Sequence, residues 1–573
     1  MTRRIPKTPK KPTKPENVNA LGVTEPAEPD LTAIPPSRHH VDSYHWPLLL
    51  SKPATCDALL KWFEGIEEER EMPWRKKWID LEAWEGDEED GRKELATRAY
   101  EVWVSEIMLQ QTRVSTVISY FNNWISKWPT VQDLAKANHD EVLSAWKGLG
   151  YYSRATRLHQ GAQDVVKKRD KICPVPGTAQ ELKEVPGIGP YTAGAISSIA
   201  FGEAEPLLDG NVARVLSRQL GLYADVKEKK PVDFLWKVAG RLVQQVSGYP
   251  EIRRSAVPGQ WNQALMELGS TICTPRPKCD ECPIRNTCRA FAEGQMLVEK
   301  KRPSSVLDIE DACSLCEQLD TEDLATTSLG GEVEDEEVEK KAKPGKKRKL
   351  EIKETNKISH YFSGGSSKTR SNAPSENNEN LEALSANSSK KRKSPSTSAD
   401  PKSSALYCSL FPKKAVKKKA REEECNVCVI ELRTSNGDSK WLIEQRPAKG
   451  LLASLWQFPQ DTITMSEASA SYRRTSAQRF LSALSLHDVE SKDVEYKGET
   501  GSLTHIFSHL RLTMHVQWFR IPADTGAPFD ATGAGPPKRK WVNTEAMDHE
   551  TLSTGMRRCW ELVKSQLSTP SSP

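Results

Sequence analysis

Two periodicities divide this chain. Through the first three hundred positions apolar residues recur at helical spacing, as in Ala58-Leu59-Leu60-Lys61-Trp62-Phe63, which reads as one face of a helix. The pattern predicts a long helical stretch over Tyr100–Trp128, another over Val131–Trp146, and a helical pair, 179–185 and Tyr191–Phe201, around a tight Pro186-Gly187-Ile188-Gly189 turn. Between the first two elements, Lys76 to about Arg98 is polar and acid-rich and reads as a surface insertion. Beyond Glu422 the period changes to two. Asn426–Arg433 and Ser439–Arg446 alternate as strands around an Asn436-Gly437-Asp438 turn, with further strands near 498–506 and 510–519 and a helix near 477–484.

The stretch between these regions has neither period. Acids dominate Glu332–Glu339, and basic runs follow at Lys346–Lys349 and Lys390–Lys393 in Ser/Asn-rich sequence. Such composition predicts a disordered connector carrying two candidate nuclear localisation signals. The expected organisation is a basic, proline-rich tail over 1–44, a helical domain over 45–297, a mostly disordered connector over 298–420, an α+β domain over 421–566, and a tail over 567–573.

Charge and composition change the picture only locally. The 573 residues carry a formal net charge of +4, so the total does not mark a nucleic-acid-binding protein. No apolar run approaches the roughly 18 residues of a membrane span, so no membrane partner is expected. The N-terminus lacks the apolar core of a secretory signal. Its first fifteen residues contain no acid, as a mitochondrial presequence requires, whereas its prolines oppose the amphipathic helix such a leader needs. The twelve cysteines therefore read as thiols of a reducing compartment, where clustering points to metal.

One such cluster lies at Cys273, Cys279, Cys282 and Cys288. Four thiolates in sixteen residues suit zinc or a [4Fe–4S] cluster, and the spacing leaves both open. Cys313-x2-Cys316 is a separate thiol pair, half a zinc site for which His45 is a candidate third ligand; free cysteines are the competing reading. Glu106 shares a helix face with Gln110, among Val102, Trp103, Ile107 and Leu109, so it is a carboxylate in an apolar setting. Asp209 and Asn211 stand where a helix N-terminus begins, in capping positions that favour an anion. The glycines of the 186–189 turn allow a backbone cradle for a phosphate. Gly148–Arg154 reads as a loop whose paired tyrosines serve either as core or as wedges in a base stack.

These motifs, in this order, resemble the MutY-type adenine DNA glycosylases of the helix-hairpin-helix glycosylase superfamily. The resemblance rests on Pro73-Trp74-Arg75, Val104–Thr112, Gly148–Arg154, Val185–Gly194, Leu208–Asn211 and the four cysteines, and covers roughly Trp46–Arg289. It implies a mainly α-helical glycosylase core with an iron–sulfur module, a Nudix-like α+β C-terminal domain, and a monomer that excises adenine opposite 8-oxoguanine or guanine in double-stranded DNA during base excision repair. Glu106 and Asp209 would be the essential carboxylates, with Tyr191 and Asn211 beside the sugar. Arg75 and Gln263 would lie near the flipped adenine. Gln110, Gln111, Thr112, Leu149 and Tyr151 would contact DNA, as would the hairpin residues Pro186, Gly187 and Gly189. Phe507, Ser508 and His509 match the lesion-reading loop.

Tyr191 stands where endonuclease III-like glycosylase/lyases carry a lysine, so base removal without dedicated strand cleavage is expected; a bifunctional lyase is the alternative. The C-terminal domain lacks the paired glutamates of an active Nudix hydrolase after Gly450. Two departures stand out: five rather than six residues separate Cys273 from Cys279, and the 76–98 stretch lengthens the separation of Arg75 from Glu106. Animal relatives bind zinc in the connector through three cysteines and an N-terminal histidine. Thr355-x2-Ile358-x2-Tyr361-Phe362 is similar to the short helix that sliding clamps bind, with Thr for the usual Gln. The resemblance thus implies clamp and mismatch-repair partners, and a nuclear location with a mitochondrial share.

Overall fold

The computed structural model describes residues 40–298, 313–317, 401–414 and 421–567, apart from 435–436, 448–449, 451, 464–468, 485–493, 508–509 and 522–537. The helical domain runs α1 (Pro53–Arg70), α2 (Glu88–Leu109), α3 (Val114–Lys127), α4 (Val131–Lys136), α5 (His139–Ala145), α6 (Ser153–Lys168), α7 (Ala179–Leu182), α8 (Pro190–Ile199), α9 (Gly210–Leu220), α10 (Lys229–Ser247), α11 (Val257–Thr271) and α12 (Arg289–Val298).

Helix α2 organises the domain. Its first turn carries Glu88, Glu89 and Asp90, acids that favour a helix N-terminus, and from Arg98 to Met108 every residue is buried. The acid-rich stretch read as an insertion is thus exposed loop only to Asp87, and its remainder is the start of this central helix. The single helix expected over 100–128 is also two. Gln111 adopts φ 57°, a left-handed conformation that ends α2 before α3 begins. Likewise 131–146 divides into α4 and α5, with Asn138 accepting from the backbone N–H of Asp140 to cap the second. The core is aromatic: Phe63, Tyr100, Trp103, Trp124, Trp146 and Trp261 are fully buried, and Trp124 Nε1 donates to Tyr100 Oη at 3.0 Å. Each such ring contributes about 1.5–3 kcal/mol by its burial.

Two stretches inside the expected disordered connector are ordered against this domain. Cys313 N donates to His40 O at 2.7 Å, and Glu317 N to Tyr223 O at 2.8 Å. The helix Pro401–Cys408 packs along α12, where Tyr407 Oη donates to Glu293 Oε2 at 2.5 Å. Its backbone lies so close that a Cβ on Gly294 would stand 2.8 Å from Ser404 Cα. The two localisation signals and the clamp-like motif lie outside the described residues.

The second domain is a mixed seven-stranded sheet: β1 (Arg421–Arg433), β2 (Ser439–Gln445), β3 (Trp456–Gln457), β4 (Gln460–Ile463), β5 (Glu495–Ile506), β6 (Leu510–Ile521) and β7 (Arg539–Asn543). The order is β3-β2-β1-β6-β5, with β1 and β6 parallel, β4 paired to β1 and β7 to β2. Helix Thr554–Leu567 covers one face, packing its Trp560 against Trp441 and Phe458; Ala470–Ala483 covers the other above Ile430 and Phe519. Being central and covered on both faces, β1 is buried continuously from Cys425 to Glu431 rather than alternately. Leu455, in the loop before β3, is fully buried in the helical domain's core and joins the two units.

Candidate active site

One cleft of about 950 Å³ opens between α2, α8, the start of α9, and α11. Glu106 projects into it from the buried part of α2 and is only 6% exposed. Burial pushes its carboxyl up to about 7, and the nearby Asp209 adds to the rise; the hydrogen bond from Tyr191 and the charge of Arg75 oppose it. Tyr191, from the second turn-residue of α8, donates its hydroxyl to Glu106 Oε2 at 2.7 Å. Burial, with the two carboxylates beside it, holds its phenol well above the usual tyrosine range, so it remains a donor.

Asp209 caps α9. Its Oδ1 accepts from Val212 N at 2.7 Å and its Oδ2 from Asn211 Nδ2 at 2.8 Å. Asn211 is fixed in turn by Arg214, whose Nη2 donates to Asn211 Oδ1 at 2.8 Å and to Gly269 O at 2.7 Å, while its Nε donates to Cys273 O at 2.8 Å. One arginine therefore ties the residue orienting Asp209 to the first cysteine of the thiol loop.

The lengthened 76–98 stretch does not remove Arg75 from the site. Arg75 lines the cleft, its Nη2 pairs with Glu267 at 2.7 Å, and its Nη1 is a buried donor without a partner. Glu267 is 2% exposed and is also paired with Arg70. Sequence reasoning missed Glu267, although Gln263, Met266, Glu267 and Ser270 line the cleft at helical i, i+3, i+4, i+7 spacing.

Gln110, Gln111, Thr112 and Tyr151 form the outer wall. Gln111 and Tyr151 both hold positive φ, 57° and 47°, conformations costing on the order of 1–3 kcal/mol each that persist only when their surroundings fix them. Arg154 does so. Its guanidinium, 8% exposed, donates to the carbonyls of Ile107, Met108 and Gln110 at the end of α2 and to those of Leu149 and Gly150 in the next loop. Of the twin tyrosines, Tyr151 is 57% exposed at the rim, while Tyr152 is buried. Leu149, between the left-handed Gly148 and Gly150, is 6% exposed and packs in the helical core. Pro186, Gly187 and Gly189 form an exposed turn outside the cleft, and Gly187 at φ +87° packs against Arg157 where a Cβ would clash. Phe507 extends β5 with its ring 4.6 Å from His505, whereas Ser508 and His509 lie outside the described residues.

Two metal-capable centres flank the helix that carries Asp209. Near its middle, Cys273, Cys279, Cys282 and Cys288 line a small apolar cavity with Leu268, Ile272 and Phe291. Arg218 Nη1 donates to Cys273 Sγ at 3.2 Å, supplying positive charge to a thiolate set. Four thiols lining one small apolar cavity beside the Arg218 guanidinium fit a [4Fe–4S] cluster. At the helix C-terminus His40, His45, Cys313 and Cys316 bring their donor atoms within 4.8 Å of one another. His45 Nδ1 bonds Leu220 O at 2.8 Å, leaving Nε2 facing the two thiols at 3.3 and 3.4 Å. His40, which sequence reasoning placed in the tail, completes the four donors.

Comparison with known proteins matches residues 104–239 to the HhH-GPD superfamily of base excision DNA repair proteins and 431–562 to the NUDIX domain. Adenine DNA glycosylase of Homo sapiens is 35% identical over 514 residues, covering 89% of this chain and 74% of the relative. The Rattus norvegicus enzyme is 32% identical over 538 residues, with coverages of 90% and 81%. That of Schizosaccharomyces pombe is 32% identical over 471 residues, covering 80% of each chain.

Proposed function

The chain belongs to the adenine DNA glycosylase family of base-excision-repair enzymes, and we propose that its substrate is adenine mispaired with 8-oxoguanine or guanine in duplex DNA. The observation that carries this reading is a buried carboxylic acid, Glu106, facing a helix-capping carboxylate, Asp209, across one tyrosine in a cleft large enough for an extruded nucleotide.

Glu106, raised to about 7, retains a proton near neutrality and delivers it to N7 of the extruded adenine, which turns the base into a leaving group. As the N-glycosidic bond breaks, positive charge develops on the sugar. Asp209, with two N–H donors and the α9 N-terminus behind it, is the preorganised anion that meets this charge. Asn211 and Arg214 keep that carboxylate from rotating. The arrangement parallels a glycosidase pair, one carboxyl protonated and the other not. No lysine is among the described residues lining the cleft, and Tyr191 cannot form an imine, so the lyase alternative is not favoured. Tyr151 and Gln111 occupy the rim where a duplex must be wedged open.

The lesion itself is read, on this account, by the β5–β6 tip around Phe507. The direct test is single-turnover adenine release from duplexes differing only in the opposite base. Faster release opposite 8-oxoguanine than opposite thymine is expected, and equal rates would remove the lesion assignment.

Cys273, Cys279, Cys282 and Cys288 would hold a [4Fe–4S] cluster, which supplies a rigid brace and a one-electron couple when bound. This chain's own residues connect that brace to the chemistry, since Arg214 spans from Cys273 O to Asn211. His40, His45, Cys313 and Cys316 offer an N2S2 donor set of the kind that suits zinc. About one zinc per chain is expected by elemental analysis. Cys316→Ser and His40→Ala should each lower it, and undiminished zinc in both would refute the site. The order that composition did not predict at 313–317 is the physical counterpart of this centre. Nuclear import through the basic runs, and docking of a sliding clamp on the 355–362 segment, are expectations from sequence.

A further inference from the structure

A fifth cysteine faces the same cavity as the four of the loop. Cys408 ends the helix Pro401–Cys408, is 1% exposed, and lines the cavity with Cys273, Cys279, Cys282 and Cys288. Its side chain packs with those of Cys279 and Cys288 in one small cluster. A buried guanidinium holds it there. Arg218 Nε donates to Cys408 O at 2.8 Å and Phe411 O at 3.1 Å, while the same side chain reaches Cys273 Sγ and Thr274 O. The connector's far end is thus clamped onto the thiol loop by one arginine.

The loop's four thiols are not equally anchored. Cys273 receives Arg218, and Cys288, directly before α12, donates its thiol to Arg218 O in α9 at 3.4 Å. Cys282 packs against the main helical core. Cys279 sits on the three-residue turn Cys279–Glu281, and its apolar neighbours belong to the small cluster that contains Tyr407, Cys408 and Phe411. The most weakly anchored thiol, Cys279, is therefore one of the two that pack against Cys408, and the other, Cys288, is held at the start of α12.

We propose that Cys408 is a reserve ligand of the iron–sulfur cluster, exchangeable with Cys279 at one iron. This rests on the reading of the loop as a [4Fe–4S] site. The exchange is redox-neutral. The iron–sulfur bond to Cys279 breaks, one to Cys408 forms, and the proton of the Cys408 thiol passes to the departing Cys279 thiolate. Both cysteines already line one small cavity, so neither the loop nor the 401–408 helix has to be displaced far. Because Cys408 closes the connector, ligation would lock the connector's exit to the catalytic domain.

The test uses the full-length chain isolated anaerobically, with iron and sulfide content, the visible charge-transfer band, resonance Raman spectra and chelator-induced bleaching as readouts. Wild type should carry about four irons; zinc in their place would overturn the cluster reading itself. With iron present, Cys279→Ser is expected to keep most of it with an all-thiolate spectrum. Cys408→Ser should keep iron but bleach several-fold faster, and the double variant should lose it. Cluster loss in Cys279→Ser as complete as in the double variant would overturn the proposal. So would oxygen ligation in the Cys279→Ser spectrum, or unchanged bleaching of Cys408→Ser. Circular dichroism melting of each variant separates ligand loss from misfolding, and Cys408→Ser bleaching decides the question where Cys279→Ser does not fold.

Discussion

Glu106→Gln should reduce adenine excision by about 10³-fold or more while leaving duplex binding within a few-fold, because a positioned general acid is worth about 10²–10⁴ and glutamine has no proton to give. Single-turnover base release and binding by anisotropy separate the two effects; an unimpaired rate would eliminate Glu106 as the acid. The wild-type rate should fall as pH rises through about 7, the value to which burial lifts this carboxyl. Stability follows the same group with a definite sign. A carboxyl raised in the folded state contributes fully below its unfolded value of 4.5, and that contribution is lost as pH climbs through the folded value of about 7. Glutamine removes the burden of a buried anion. Glu106→Gln should therefore melt higher than wild type at pH 8, by up to about 3 kcal/mol, and show little difference at pH 5. An inactive enzyme that is more stable only above neutrality would be the mark of an acid kept at a cost to the fold.

Asp209→Asn should lose about 10²–10³ in the rate of base release, the usual scale for removing one preorganised charge from a developing transition state. The substitution isolates charge from structure. Asparagine caps helices about as well as aspartate, so the bond from Val212 N survives and the melting temperature should move little. Asp209→Ala would lose the cap as well, at about 1 kcal/mol. A rate loss shared by Asp209→Ala but absent from Asp209→Asn would mean that Asp209 is only a cap. Thermal melts beside the kinetics decide between these outcomes.

How much of this was legible in the sequence depends on how far apart the partners lie. The strands of the second domain and the 186–189 hairpin were readable because their signals are local, short apolar runs and a Pro-Gly pair, although the alternation read into β1 gives way to continuous burial. Glu106 was legible through its apolar neighbours four residues either way. The start of α2 at Glu88 was hidden because acids that favour a helix N-terminus look the same as acids on a solvent loop. The core packing of Leu149 was hidden because it lies between two left-handed glycines, and periodicity does not report φ. The remaining omissions are long-range. His40 meets Cys313, Arg154 gathers the carbonyls of two loops, and Cys408 returns from beyond the connector to Cys279. In each case the residue's meaning comes from a partner that only the fold supplies.

The central claim is that this cleft removes adenine by acid catalysis and leaves the strand intact. It is tested most directly by incubating the full-length protein with a duplex holding adenine opposite 8-oxoguanine, with and without borohydride, and analysing the products before and after alkali. The account predicts free adenine, strand scission only after alkali, and no trapped protein–DNA adduct. Scission before alkali together with a borohydride-trapped adduct would contradict it.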